Sequence, residues 1–467
     1  MARSRSIYSC SECGAQQPRW VGRCPSCGSW SSLVEEVLRA REAAPGAQRL
    51  GRSSESALAK PVLLAEINPA DARRIATGID ECDRVLGGGL VPGSVVLLAG
   101  DPGVGKSTLA LQIAAALGAR IPMLYVTGEE SPEQLRLRAE RLSAIPRELL
   151  VLAETRVEAI AEIWAERAPG LVLVDSIQTL RTDRVESAAG SVAQLRECAA
   201  ELAALAKARG AALILVGHVT KEGLVAGPRV LEHLVDVVLG FEGERGQFFR
   251  LLRASKNRFG STQEVGVFAM TERGLEGVEN PSERFLAERC AGAPGSCIAP
   301  LVEGTRPMLV EIQALVAPAG YGTARRTAVG LDDGRLALLL AALDRHSDVD
   351  VLSRDVYANV TGGLRVSEPA ADLALALALA SSRLGIALPS DAAAIGEIGL
   401  GGEVRRVGRI EPRLREAIRL GFRRLLLPAR VDVAPPAGAQ LVRVADLASA
   451  VRWLRASSAL HAPVNGS

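Results

Sequence analysis

Residues 95–108, Val95-Val-Leu-Leu-Ala-Gly100-Asp101-Pro102-Gly103-Val104-Gly105-Lys106-Ser107-Thr108, decide the fold. An apolar run that reads as a buried strand enters G-x4-G-K-S, and KSTLALQIAAALGAR (106–120) continues with helix-forming residues. Strand, glycine-rich turn and helix start together form a phosphate cradle. Glycines let backbone N–H groups wrap the phosphates, and the helix N-terminus adds a favourable dipole. Lys106 is placed to reach the β and γ oxygens, and Ser107 to ligate Mg²⁺. A nucleoside triphosphate site is therefore expected at Gly100–Thr108.

Working outward, MLYVTG (123–128), LVLVDS (171–176) and LILVGH (213–218) are short continuous apolar runs separated by helical patterns. Such runs predict an α/β unit with a parallel sheet buried on both faces. Ligands in these folds lie beyond the carboxyl ends of the strands. Asp175 ends one run and is the expected second Mg²⁺ residue. Glu129 and Glu130 follow another; Glu129 is taken as the group that polarises the attacking water, with a helix-start carboxylate beside Ser131 and Pro132 as the rival reading. His218 ends a third run, where a γ-phosphate sensor would sit, although a lone histidine is more often a packing or capping group.

Cys10-x2-Cys13 and Cys24-x2-Cys27 lie ten residues apart. Two thiolate pairs at this spacing can close a tetrahedral Zn²⁺ site with no open position, so the metal is expected to be structural. Cys82, Cys198, Cys290 and Cys297 are scattered and read as core or incidental.

The 467 residues predict several units. With 55 Lys and Arg against 53 Asp and Glu, the net charge of +2 carries no global nucleic-acid signature, and only five basic residues are lysine. The first residues are polar, unlike a secretory signal, and no apolar run nears the ~20 residues that span a bilayer. A cytoplasmic protein without a membrane partner is expected. A second α/β region follows: MLVEIQALV (308–316) and DVYANVTGGLRV (355–366) read as strands, and DGRLALLLAALDRH (333–346) as a helix. A further helix is expected from Ser367 through DLALALALASSRLG.

These segments together resemble the bacterial RadA family of DNA repair proteins, also called Sms. The resemblance covers the four-cysteine head, TGIDECDRVLGGGLVPGS (77–94), YVTGEES (125–131), VDSIQT (174–179), KNRFG (256–260), GGLRVSEPAADLALALALASS (362–382) and GEIGLGGEVRRV (396–407). It implies a zinc finger at 1–34, a linker at 35–65, a RecA-like ATPase domain at 66–280, a domain similar to that of Lon protease at 281–456 and a tail at 457–467. It also implies a hexameric ATPase that moves on single-stranded DNA and drives branch migration of recombination intermediates. The RecA recombinase and the replicative helicase are its expected partners. By position, Lys106 and Ser107 bind ATP and Mg²⁺, Glu129 activates water, Asp175 completes the metal site and His218 couples γ-phosphate to DNA. Lys256 and Arg258 would reach a neighbouring subunit's nucleotide or the DNA. From chemistry alone, KNRFG would read as a solvated basic turn.

A Lon-like peptidase needs a serine nucleophile and a lysine base. Here Ala370 stands at the serine position, the lysine position falls in Glu411–Arg413, and no lysine follows Lys256. Proteolysis is not expected. The arginines between Arg405 and Arg430 could bind duplex DNA or simply form a solvated face. A KaiC-type ATPase acting on protein is the main competing reading, and a non-catalytic zinc-anchored scaffold the other.

Overall fold

The computed structural model describes residues 5–10, 15–26, 28–30, 32–38, 63, 65, 73–118, 120–142, 145, 148–218, 228–243, 249–320 and 323–459. Most of the expected linker, and residues 460–467 of the expected tail, lie outside the described residues; residues 457–459 close the helix Leu447–Ala459 instead of beginning a tail.

The head is a three-stranded antiparallel sheet in which Arg5–Cys10 lies between Gln16–Gln17 and Leu33–Leu38. Its last strand runs to Leu38, past the expected boundary at 34, because Arg5 still finds a ladder partner there.

Met1–Arg245 and Arg250–Gly277 form one compact unit, and Gly246–Phe249 with Val278–Ser467 a second. The first is built on a nine-stranded sheet. Six strands are parallel, in the spatial order Val237–Glu242, Val95–Gly100, Ala212–His218, Leu171–Asp175, Met123–Thr127 and Leu149–Ala153. Phe249–Asn257 then joins antiparallel to Val237–Glu242, and Val265–Thr271 and Gly274–Gly277 extend that side. The period-two pleat explains the continuous apolar runs. Val96 and Leu98 pack into a core with helix Lys106–Leu117, whereas Val95, Leu97 and Ala99 pack into the core beneath helices Val157–Arg167 and Val192–Arg209. Cys82 and Cys198 are buried in these cores, and burial pushes both thiols up to about 12.

The second unit carries a seven-stranded mixed sheet whose centre is the antiparallel pair Ser296–Glu303 and Arg306–Pro318. The strand Arg354–Val360 ends earlier than its sequence suggests, because Gly362 and Gly363 turn away with φ of 80° and 71°. Helix Asp372–Leu384 is buried on every side from Asp372 to Ser381, which is why its leucine–alanine alternation tolerates a helix. The helix does not start at Ser367. Pro369–Ala371 makes a single 3₁₀ turn, and the Glu368 carboxylate is already committed to Arg413 and to the Val302 N–H at 3.1 Å.

Ala370 is buried, and Arg413 stands in the stretch that would hold the lysine. Arg413 donates to Glu368 with both Nη atoms, to Pro300 O at 2.9 Å and to Gly408 O at 3.1 Å. It is therefore withdrawn from any DNA-facing surface. Arg405, Arg419 and Arg424 are paired with Glu403, Glu416 and Asp391, while Arg406, Arg415, Arg423 and Arg430 are exposed or at the rim. Glu368→Ala leaves a buried guanidinium without its carboxylate and is expected to cost about 3 kcal/mol. Hydrogen exchange in helix Asp372–Leu384 checks this, with Glu368→Gln losing less.

Candidate active site

The strand Val95–Gly100 delivers the chain to the carboxyl edge of the sheet. Gly100 has to be glycine, since a Cβ there would run into the Phe241 carbonyl. Gly105, at φ 117°, caps helix Lys106–Leu117 in a conformation that side chains avoid. Lys106 is buried, and its Nζ donates to Gly100 O at 2.8 Å and Asp101 O at 2.9 Å. Burial lowers its pKa, while the charges of Asp175, Glu129 and Asp101 raise it. Ser107 and Thr108 follow in the first turn, both partly accessible.

Thr127 pairs with Asp175, so those two strand ends are level, and Asp175 pairs with Val216, two residues before its strand ends at His218. Tyr125, one pleat repeat before Thr127, donates its hydroxyl to Asp175 Oδ2 at 2.7 Å. Asp175 Oδ1 is buried without a hydrogen-bond partner among the described residues. A buried, unmet carboxylate oxygen close to Lys106 and Ser107 suits a hydrated Mg²⁺. When bound, that ion would neutralise charge on the phosphate oxygens.

The two glutamates part company. Glu130 turns to Arg138, and Thr127 Oγ1 pins its backbone at 2.8 and 3.0 Å. Ser131 and Gln134 then form a reciprocal cap for helix Pro132–Arg141. Glu129 instead faces the site, where Oε1 accepts from Ser176 Oγ and lies 3.2 Å from His218 Nε2. The hydrogen bond with His218 is the main cause that lowers its pKa to about 2, against burial; Ser176 and Lys106 add to it. His218 Nδ1 is buried and has no partner among the described residues, and Gln178 Nε2 donates to the His218 carbonyl at 3.3 Å. Lys106, Glu129, Asp175 and His218 thus share one edge.

Tyr125, Ser176 and Gln178 were not singled out from sequence. The signal for Tyr125 is a phenol midway along an otherwise apolar run; Ser176 and Gln178 simply neighbour Asp175.

Lys256 and Arg258 are not brought to this edge. Asn257 pairs with Val237, which pairs with Val96, whereas the phosphate loop begins at Gly100, level with Phe241. At about 3.3 Å per residue the KNRFG turn lies more than 10 Å away, at the opposite edge. There Lys256 Nζ donates to Glu232 O and Val235 O at 2.5 and 2.8 Å, and Arg258 pairs with Asp236 at 3.1 Å. Asn257 holds the turn on helix Asp80–Leu86 through Val85 O, and Arg74 clamps Leu86 O and Phe259 O.

In the head, Cys10 and Cys24 are buried side by side in one small cluster. Each opens the same kind of turn: Cys10 N–H donates to Ala15 O at 3.0 Å and Cys24 N–H to Ser29 O at 2.8 Å. Two buried thiols on matching turns fit a Zn²⁺ centre. The other expected ligands, Cys13 and Cys27, lie outside the described residues.

Comparison with known proteins agrees with this geometry. An AAA domain family matches residues 62–224, and a rubredoxin metal binding domain family matches residues 8–35. The DNA repair protein RadA of Bacillus subtilis is 49% identical over 97% of this chain and 99% of its own length. The chain belongs to the RadA family of DNA repair proteins. RadA of Pseudomonas aeruginosa is 50% identical over 97% of this chain and 99% of its own, and RadA of Brucella abortus 50% over 98% and 99%. A KaiC-like protein of Pyrococcus horikoshii is 20% identical with a TM-score of 0.37, covering 44% of this chain and 99% of that one, too weak a likeness to decide anything. As in the RadA family, this chain joins a zinc-ribbon head to an ATPase domain of RecA-like α/β architecture.

Removing the donor that depresses Glu129 raises its pKa. In His218→Ala, NMR titration of the Glu129 carboxyl is expected to move from about 2 toward the ordinary value of about 4.3. A carboxyl with a depressed folded pKa stabilises the fold above its unfolded value. The His218–Glu129 contribution therefore fades as pH falls from about 4 to about 2 in wild type.

Proposed function

We propose that this chain is a DNA-dependent ATPase of recombinational repair that translocates on single-stranded DNA and drives branch migration of recombination intermediates. The observation that carries this reading is the separation of KNRFG from the nucleotide edge of its own chain. A lysine and an arginine at the far edge cannot serve their own nucleotide, but a neighbour stacked head to tail meets one edge with the other. Such an interface repeats around a ring, here a homo-hexamer, and Lys256 or Arg258 would then place positive charge at the next subunit's phosphates or on the DNA.

Within one site, residues Gly100–Thr108 bind ATP, Lys106 stabilises the transferring phosphoryl group, and Ser107 and Asp175 hold Mg²⁺. Glu129, ionised at neutral pH, orients the attacking water; with a pKa near 2 it is a weak base, which suits the loose transition state of phosphoryl transfer. His218, touching Glu129 at the end of its strand, reports the γ-phosphate to the DNA-binding parts of the ring. Cys10, Cys13, Cys24 and Cys27 hold a structural Zn²⁺. Residues 281–456 form a Lon-like domain without peptidase activity, since an ion pair and an alanine occupy the positions of its dyad. The protein acts in the cytoplasm, with the RecA recombinase and the replicative helicase as partners.

Steady-state ATP hydrolysis with and without single-stranded DNA tests this. DNA should stimulate wild type; Lys106→Ala should abolish turnover; Lys256→Ala should bind ATP yet lose the stimulated rate by about tenfold or more. Equal rates with and without DNA in wild type and Lys256→Ala would contradict the motor reading.

A further inference from the structure

Only 3% of the residues are aromatic and four are tryptophan, yet two of those four stand in the open on the zinc-ribbon head. Trp20 is 57% exposed and Trp30 73%, while Trp164 is buried in the ATPase core. The two indoles are neighbours. A Cβ at Gly22, which lies between them, would touch Trp20 at 3.8 Å and Trp30 at 3.9 Å. The absence of a side chain there leaves both rings side by side over bare backbone.

The platform is held rather than loose. Arg23 and Trp30 face each other across an antiparallel bridge that spans the second cysteine turn. The Arg23 guanidinium lies 5.8 Å from the Trp30 ring centroid and its Nε donates to Gly28 O at 2.8 Å, within the turn that Gly28 N–H closes on Cys24 O. The metal-ligand turn thereby fixes the direction of both Trp30 and a cation. Arg19 is exposed next to Trp20. Arg19 and Arg23 are the only charged residues between Ala15 and Leu33, the stretch that carries both rings.

We infer that Trp20 and Trp30 form a base-stacking platform for single-stranded nucleic acid, with Arg19 and Arg23 meeting the flanking phosphates. Adjacent exposed rings with cations beside them match the way sequence-tolerant single-strand sites are built, because every base offers a π-face and every nucleotide a negative charge. A duplex offers neither an unstacked base nor access to its faces. An apolar protein partner would not call for an arginine beside each ring. The inference rests on the DNA reading above and adds a contact remote from the ATP chemistry.

Oligo(dT) is the probe, titrated into full-length zinc-loaded protein while tryptophan fluorescence and binding anisotropy are followed. The expected result is quenching on binding in wild type. Trp20→Ala/Trp30→Ala should lose the quenching and about tenfold or more in affinity, while keeping its zinc content and its DNA-free ATPase rate. Trp30→Phe should retain most of the affinity. If alanine costs zinc, Trp20→Leu/Trp30→Leu keeps the apolar volume and removes the rings. Wild type that binds oligo(dT) without quenching, with unchanged affinity in the double variants, overturns the platform, leaves the motor reading standing and assigns the tryptophans to a protein partner. Wild type that does not bind oligo(dT) overturns both.

Discussion

The hydrogen-bond register of one strand, Val95–Gly100, organises everything described here. Its last residue lies level with His218 on one side and with Phe241 on the other, and the ladder sets Asp175 and Thr127 two residues lower, level with Val216 and Leu98. Phosphate loop, Asp175, Glu129 and His218 therefore emerge at one edge. Because the side-chain period is two, a slip by one residue would turn Val96 and Leu98 into the opposite core and move each of these groups off the edge. Both faces of the strand are buried, which makes that slip costly. The same ladder, continued into the antiparallel strand Phe249–Asn257, sends KNRFG to the far edge.

The readability of the sequence follows from that register. Continuous apolar runs leading into Gly100, Thr127, Asp175 and His218 make the parallel sheet legible in the sequence. The choice between Glu129 and Glu130 was harder, since both follow the same strand. Three-dimensional neighbours part the two side chains: Arg138 on the next helix takes Glu130, and Ser176 with His218 take Glu129. The role of Tyr125 was hidden for the same reason, because nothing in its own strand says that Asp175 lies beside it. The separation of Lys256 from Lys106 was equally invisible, as it depends on the direction in which a strand is added.

In the second unit, the start of the buried helix was misplaced because Ser367 looks like a cap in isolation. Its neighbour Glu368 answers instead to Arg413, distant in sequence, and a 3₁₀ turn takes up the slack. A bidentate arginine–carboxylate contact ties the start of the helix to the sheet through Pro300 O and the Val302 N–H. Arginine number alone is thus a poor guide to a DNA surface here, since Arg413 faces inward.

The proposed division of labour between subunits is tested most directly by mixing. Lys106→Ala lacks its own phosphate-binding lysine but keeps KNRFG, and Lys256→Ala has the opposite defect. If each site takes its KNRFG cation from the next chain, equimolar mixing of the two inactive proteins restores roughly a quarter of the sites, because that share of head-to-tail interfaces pairs two intact halves. DNA-stimulated hydrolysis should return to a matching fraction of wild type. A mixture as inactive as its components, under conditions where the chains exchange, would contradict the account.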